Sequence, residues 1–110
     1  MKVKICSFIL FSLILAGLSA VDVTIYEIQF TTSPSGDSPY AGQVVTTTGI
    51  VTGTGFAGYS DNFFISEPTG GAWKGVYIYD ADQNVDLGDE IEITGTVSEY
   101  FGLTEIGSGT

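Results

Sequence analysis

Residues 86–100 read "DLGDEIEITGTVSEY", and the fold turns on how that stretch is read. From Glu90 to Val97 the alternation is strict, with Ile91, Ile93, Gly95 and Val97 on one face and Glu90, Glu92, Thr94 and Thr96 on the other. Successive side chains of a strand point to opposite faces, so this pattern is a half-buried strand. Asp86–Leu87–Gly88–Asp89 is then the turn that feeds it. A competing reading starts six residues earlier, at "DADQNVDLGDEIE" (80–92), where Asp80, Asp82, Asn84 and Asp86 fall at alternate positions. Those are the first ligand positions of a helix–loop–helix calcium loop, which also needs glycine at its sixth position and a bidentate Glu at its twelfth. Here these positions hold Val85 and Ile91, and neither flank has a helical pattern. The stretch is turn and strand. A looser Ca²⁺ site on Asp80, Asp82 and Asp86 stays open beside the plainer reading of a solvated acidic turn, and no other cofactor is expected.

Working outward, the same chemistry recurs. "QVVTTTGIVTGTG" (43–55) is a long strand with Val45, Thr47, Gly49 and Val51 on one face and Thr46, Thr48, Ile50 and Thr52 on the other. Gly49 in its middle marks a bend or bulge at a barrel corner. "NFFISE" (62–67) is a short strand closed by Pro68, Gly70 and Gly71. "KGVYIYD" (74–80) places Val76 and Ile78 opposite Tyr77 and Tyr79. "VTIYEIQF" (23–30) is read as a further strand, with Glu27 leaving a short helical turn open. "TTSPSGDSPYAG" (31–42) is turn chemistry, and "LTEI" (103–106) is a final short run. Glycine is abundant, 14 of the residues after position 20, and Thr, Val, Ile, Tyr and Phe fill the spaces between, so the domain is all-β.

The first twenty residues stand apart. Lys2 and Lys4, the apolar "ICSFILFSLIL" and the small residues of "AGLSA" make a secretory leader, with cleavage expected after Ala20. The protein is then expected to be secreted or at the cell surface, with no membrane partner expected for its mature form. Cys6, the only cysteine, stands at the start of the apolar run rather than after it and cannot be a lipidated one. Beyond residue 20, thirteen acidic residues face the single base Lys74, a net charge of −12. Such a domain repels nucleic acid, which binds chiefly through phosphate neutralisation, and anionic membrane surfaces as well. Without His or Cys beyond the leader there is no usual zinc site, no Ser–His–Asp triad and no Cys nucleophile. A phosphate-cradling GxxxxGK[ST] loop is also missing, and no two acids are marked as a facing glycosidase pair. The chain is not expected to be an enzyme.

The series "YEIQ", "AGQVVTTTGIVTG", "NFFISEP", "GVYIYD" and "VDLGDEIEITGTVSEYFGLTEI" resembles the OB-fold domain of secreted bacterial nucleases, which accompanies an endonuclease/exonuclease/phosphatase-type catalytic domain. The resemblance runs from about Ile25 to Ile106. It implies a five-stranded OB-fold-like Greek-key barrel over residues 21–110 and an accessory role with weak binding of single-stranded nucleic acid or another extracellular polymer; a departure from the family is that the run breaks off after "LTEI", which leaves room for an incomplete fifth strand. The family's catalytic motifs have no counterpart here, so a downstream domain of the same protein is the expected partner. The alternative is a structural spacer or protein-interaction module of a cell-surface protein.

OB barrels bind ligands on the face of their second and third strands and with the loops joining strands one–two and four–five. That face holds Tyr77 and Tyr79, with Phe63 or Phe64 beside them. The loops offer Phe56 and Tyr59, then Tyr100 and Phe101. Aromatics so placed stack bases or sugar rings, although tyrosines also pair across strands with no ligand at all. Trp73, in a turn, either covers the barrel end or joins a binding surface.

Overall fold

The computed structural model describes residues 3–7, 19–55, 62–79 and 84–107, with side chains from residue 19 onward. In chain order the elements are β1 (Val3–Ser7), β2 (Val21–Asp22), α1 (Ile25–Gln29), β3 (Val44–Thr54), β4 (Phe63–Ser66), β5 (Gly75–Tyr79), β6 (Glu90–Tyr100) and β7 (Leu103–Gly107).

Five of these strands close into a ring. β3 pairs antiparallel with β4, β4 antiparallel with β5, β5 parallel with β7, β7 antiparallel with β6, and β6 antiparallel with β3. The parallel β5–β7 contact, which joins the β4–β5 pair to the β6–β7 pair, gives the ring its OB-like, Greek-key connectivity. The eleven-residue strands β3 and β6 are long because each serves two partners within the ring. β3 gives Val44–Ile50 to β6 and Ile50–Thr54 to β4; β6 gives Glu90–Thr96 to β3 and Thr96–Tyr100 to β7. The expected gap at the last strand is not there: Leu103–Gly107 pairs on both sides and closes the barrel. β2 adds to the edge of β3, and the backbone of β1 lies parallel to Glu90–Thr94 of β6, outside the ring.

The alternation read from the sequence is the alternation found. Val45, Val51, Phe63, Ile65, Val76, Ile78, Ile91, Ile93, Val97 and Ile106 fill the interior, with Val85 below the turn at Leu87–Gly88. Removing each such side chain from water is worth about 1.5–3 kcal/mol, and this is what holds the barrel. The turn is tied to β3: Val51 N–H donates to Asp89 O at 2.8 Å and Gly88 N–H to Val51 O at 2.9 Å. Gly88 has φ +88°, the left-handed conformation that the third position of such a turn favours.

Two expectations are corrected. The bulge of β3 lies between Val51 and Gly53, not at Gly49. A Cβ at Gly49 would lie 3.0 Å from Ile25 Cδ1, 3.0 Å from Ser66 O and 3.1 Å from Ile65 Cβ, so this glycine makes room for packing. The "VTIYEIQF" segment is also not a strand over 23–30. Thr24 starts a helix through a reciprocal capping box: Glu27 N–H donates to Thr24 Oγ1 at 3.0 Å, and Thr24 N–H donates to Glu27 Oε1 at 2.9 Å. The box satisfies two orphan donors at the helix start, and it puts Ile25 and Ile28, three residues apart, on one face in the core. A single helical turn and a half is not stable alone. Tertiary bonds hold it: Tyr26 N–H donates to Glu67 Oε2 at 2.7 Å, Gln29 Nε2 to Gly75 O at 2.7 Å, and Ser38 Oγ to Ile28 O at 2.6 Å. α1 thus seats on the end of the barrel where the β4–β5 turn lies.

Candidate binding surface

On the outer side of β4 and β5, pleating brings together one residue from each strand of a cross-strand pair. Phe64 faces Tyr77 in register, and their rings meet at 4.9 Å between centroids with a 51° tilt. The choice between the two phenylalanines is therefore settled. Phe63 is wholly buried in the core and leaves the candidate set, because a ring without exposed surface cannot stack on a ligand. Tyr79 follows on the same side of β5, 43% exposed. Its ring lies against Gly107 of β7, where an added Cβ would come 3.1 Å from Tyr79 Cδ2.

Beside Tyr77 in the parallel register stands Glu105 of β7, on the side of the strand opposite the core residue Ile106. Glu105 is buried, and burial holds its carboxyl above the usual carboxylate range; the nearby charge of Glu99 pushes the same way, while a hydrogen bond with Ser98 pulls it down. The face therefore combines aromatic surface with an acid that resists ionisation. Glu105 was not singled out from the sequence. An acid in "LTEI" looks like any solvent-facing strand residue until the neighbouring strand covers it.

The β6–β7 hairpin presents Tyr100 and Phe101, whose rings meet edge-on at 4.7 Å. Phe101 is 92% exposed. Phe56 and Tyr59, in the β3–β4 loop, lie outside the described residues, as do Asp80 and Asp82. Asp86 is exposed, and its N–H donates to Asp89 Oδ2 at 2.9 Å, a contact that belongs to the turn. Among the described residues no three acids gather as metal ligands.

A second group of rings emerged only with the helix. Tyr26 and Phe30 stack along α1 and its C-cap at 5.4 Å with planes 15° apart, and Phe30 meets Trp73 edge-on at 5.4 Å. All three are partly exposed, and Trp73, 45% exposed, lies on the surface at the barrel end. The sequence signal was the T-x-x-E capping box, which sets Tyr26 and Phe30 four residues apart on one helical face. Trp73 has φ +69° and Phe101 has φ +48°, and no other non-glycine among the described residues has a positive φ. The left-handed conformation costs a residue with a Cβ about 1–2 kcal/mol.

On the far side, Asp22, Glu27, Glu92 and the hydroxyls of Thr24, Thr46 and Thr48 line a cavity of about 340 Å³ that Thr47 also borders. Thr46 Oγ1 and Thr94 Oγ1 bond to each other at 2.8 Å, whereas the buried Thr47 Oγ1 has no partner among the described residues. No family model, no curated protein and no solved structure matches this chain.

Proposed function

We propose that the protein is a non-catalytic extracellular binding module, the accessory domain of a secreted nuclease-like protein, with weak affinity for single-stranded nucleic acid or a similar extended polymer. The observation that carries this reading is the outward set Phe64, Tyr77 and Tyr79 on β4 and β5, the strands that form the ligand face of an OB-type barrel. A net charge of −12 beyond the leader opposes a phosphate polymer, and the single Lys74 cannot offset it. A divalent cation held between phosphate and acids such as Asp80, Asp82 or Asp86 would supply the missing charge. Binding is therefore weak and Ca²⁺-dependent.

Titration of a labelled single-stranded oligonucleotide, with and without millimolar Ca²⁺, tests this. The double substitution Tyr77→Ala and Tyr79→Ala weakens binding at least tenfold with folding intact, since base stacking contributes about 1–3 kcal/mol per base. A second reading, a structural spacer of a cell-surface protein, draws on the internal use of these rings: Phe64 against Tyr77, Tyr79 over Gly107. Absence of binding in Ca²⁺ by the folded protein leaves the spacer standing.

A further inference from the structure

We infer that the outer edge of β6 over Glu90–Thr94 is a strand-docking site, which takes an extended, lysine- or arginine-bearing segment of a partner polypeptide once the leader is removed. β6 gives Glu90–Thr96 to β3 on one edge and Thr96–Tyr100 to β7 on the other, so the first half of that second edge lies outside the ring. Bonds at the two ends of the strand fix which backbone groups face it. Asp89 O accepts from Val51 N–H, Val97 N–H donates to Gln43 O at 3.0 Å, and Val97 O accepts from Gly42 N–H at 2.7 Å, all toward β3. Backbone groups alternate in direction along a strand, and the β3–β6 register runs without a shift. Glu90, Glu92 and Thr94 therefore turn their N–H and C=O groups to the outer edge. The matching half-edge of β3 is covered by β2, continued by Val23 N–H donating to Thr46 O at 3.0 Å. Among the described residues, what lies along the β6 half-edge is β1, Val3–Ser7, in parallel register.

β1 belongs to the leader, and its removal bares an edge that already accepts a strand. Such an edge is a template for an added strand, held by main-chain bonds and selected by alternate side chains. The charges along it decide which strand fits. β1 sets Val3 and Ile5 opposite Glu90 and Glu92, and neither residue carries a charge to match the acids. Opposite charges directly across two strands stabilise the pair, so Lys or Arg at those two positions makes a better occupant than the leader. Asp22 and Glu27, which border the same cavity as Glu92, add negative charge beside the site, and the single base beyond residue 20 is Lys74. A second copy docking through this edge would set Glu90 and Glu92 against themselves. The inference rests on removal of the leader and stands independently of Phe64, Tyr77 and Tyr79.

Titration of the exported, processed protein with a short peptide of alternating lysine and valine, capped at both ends, tests the site. The expected result is saturable binding that weakens as salt is raised. Amide exchange followed by NMR should show protection gained at Glu90, Glu92 and Thr94. A glutamate–valine peptide of the same length should not bind. N-methylation of alternate residues of the lysine peptide should abolish binding in one frame and spare it in the other, because only every second N–H reaches the neighbouring strand. Glu92→Lys should weaken binding about fivefold, with an unchanged melting temperature reporting an intact fold. No binding, equal binding of both peptides, indifference to N-methylation in both frames, or protection gained elsewhere overturns the site. So does an exported protein that still begins at Met1, because its edge is then filled, or a dimer that gains the same protection without peptide.

Discussion

Gly49 and Glu105 show how single residues are governed by their neighbours across the barrel. Gly49 sits where β3 passes under α1, and the backbone oxygen of Ser66 is one of the atoms a side chain would strike. Ile25 can shift, but a backbone carbonyl in a paired strand cannot. Gly49→Ala is therefore expected to destabilise the fold by about 1–3 kcal/mol, the usual cost of overpacking, measured by urea denaturation. Glu105 makes a prediction in pH. Its carboxyl is raised above the ordinary value because burial penalises the charged form. With the folded value above the unfolded one, the stability it contributes is fully present below the unfolded pKa of about 4.3 and is lost as pH rises through the folded value. Glu105→Gln should therefore melt higher than the parent protein at pH 7, and the advantage should vanish below about pH 4, as thermal melts across that range would show.

At the scale of the element, α1 is the part whose existence depends on the smallest number of atoms. Five residues give few internal bonds, so the capping box of Thr24 and Glu27 and the buried pair Ile25 and Ile28 hold it together. Thr24→Ala leaves the N–H of Glu27 without its acceptor and is expected to cost about 0.5–2 kcal/mol. Because Tyr26 and Phe30 ride on this helix, the same variant should also loosen the ring contact with Trp73, read as a change in tryptophan fluorescence. The strands behave differently. β4 and β5 are short, four and five residues, and neither stands without the ring that pairs both of its edges.

At the scale of the whole molecule, closure is the dominant fact. β7 is five residues long, yet its bonds to β5 and β6 turn an open sheet with two bare edges into a ring. The network at the barrel end reinforces it: Glu99 Oε2 accepts from Thr104 Oγ1 at 2.7 Å and from Ser38 N–H at 2.8 Å, tying the 31–42 loop to the β6–β7 hairpin. The net charge acts on the same scale, opposing compaction and anionic partners alike, so a phosphate polymer reaches the aromatic surfaces only together with a cation.

The amino-acid sequence alone determined which residues face inward along β3, β5 and β6, because a period of two is a local property and survives whatever the strands pair with. It also determined the turn at Asp86–Asp89, and Val85 and Ile91, which break the calcium-loop pattern in the sequence, are both core residues. Much of the candidate surface was legible for the same reason: Tyr77 and Tyr79 must face opposite to Val76 and Ile78. What tertiary structure alone decided were matters of partner. Phe63 and Phe64 are adjacent and equally apolar, and only the pairing of β4 with β3 and β5 assigns one to the core. Closure by β7 rests on a parallel contact with a strand 28 residues away in register, which no local pattern encodes. The helix of Ile25–Gln29 lay between, its capping box written in the sequence but its stability supplied by Glu67, Gly75 and Ser38 from elsewhere in the chain.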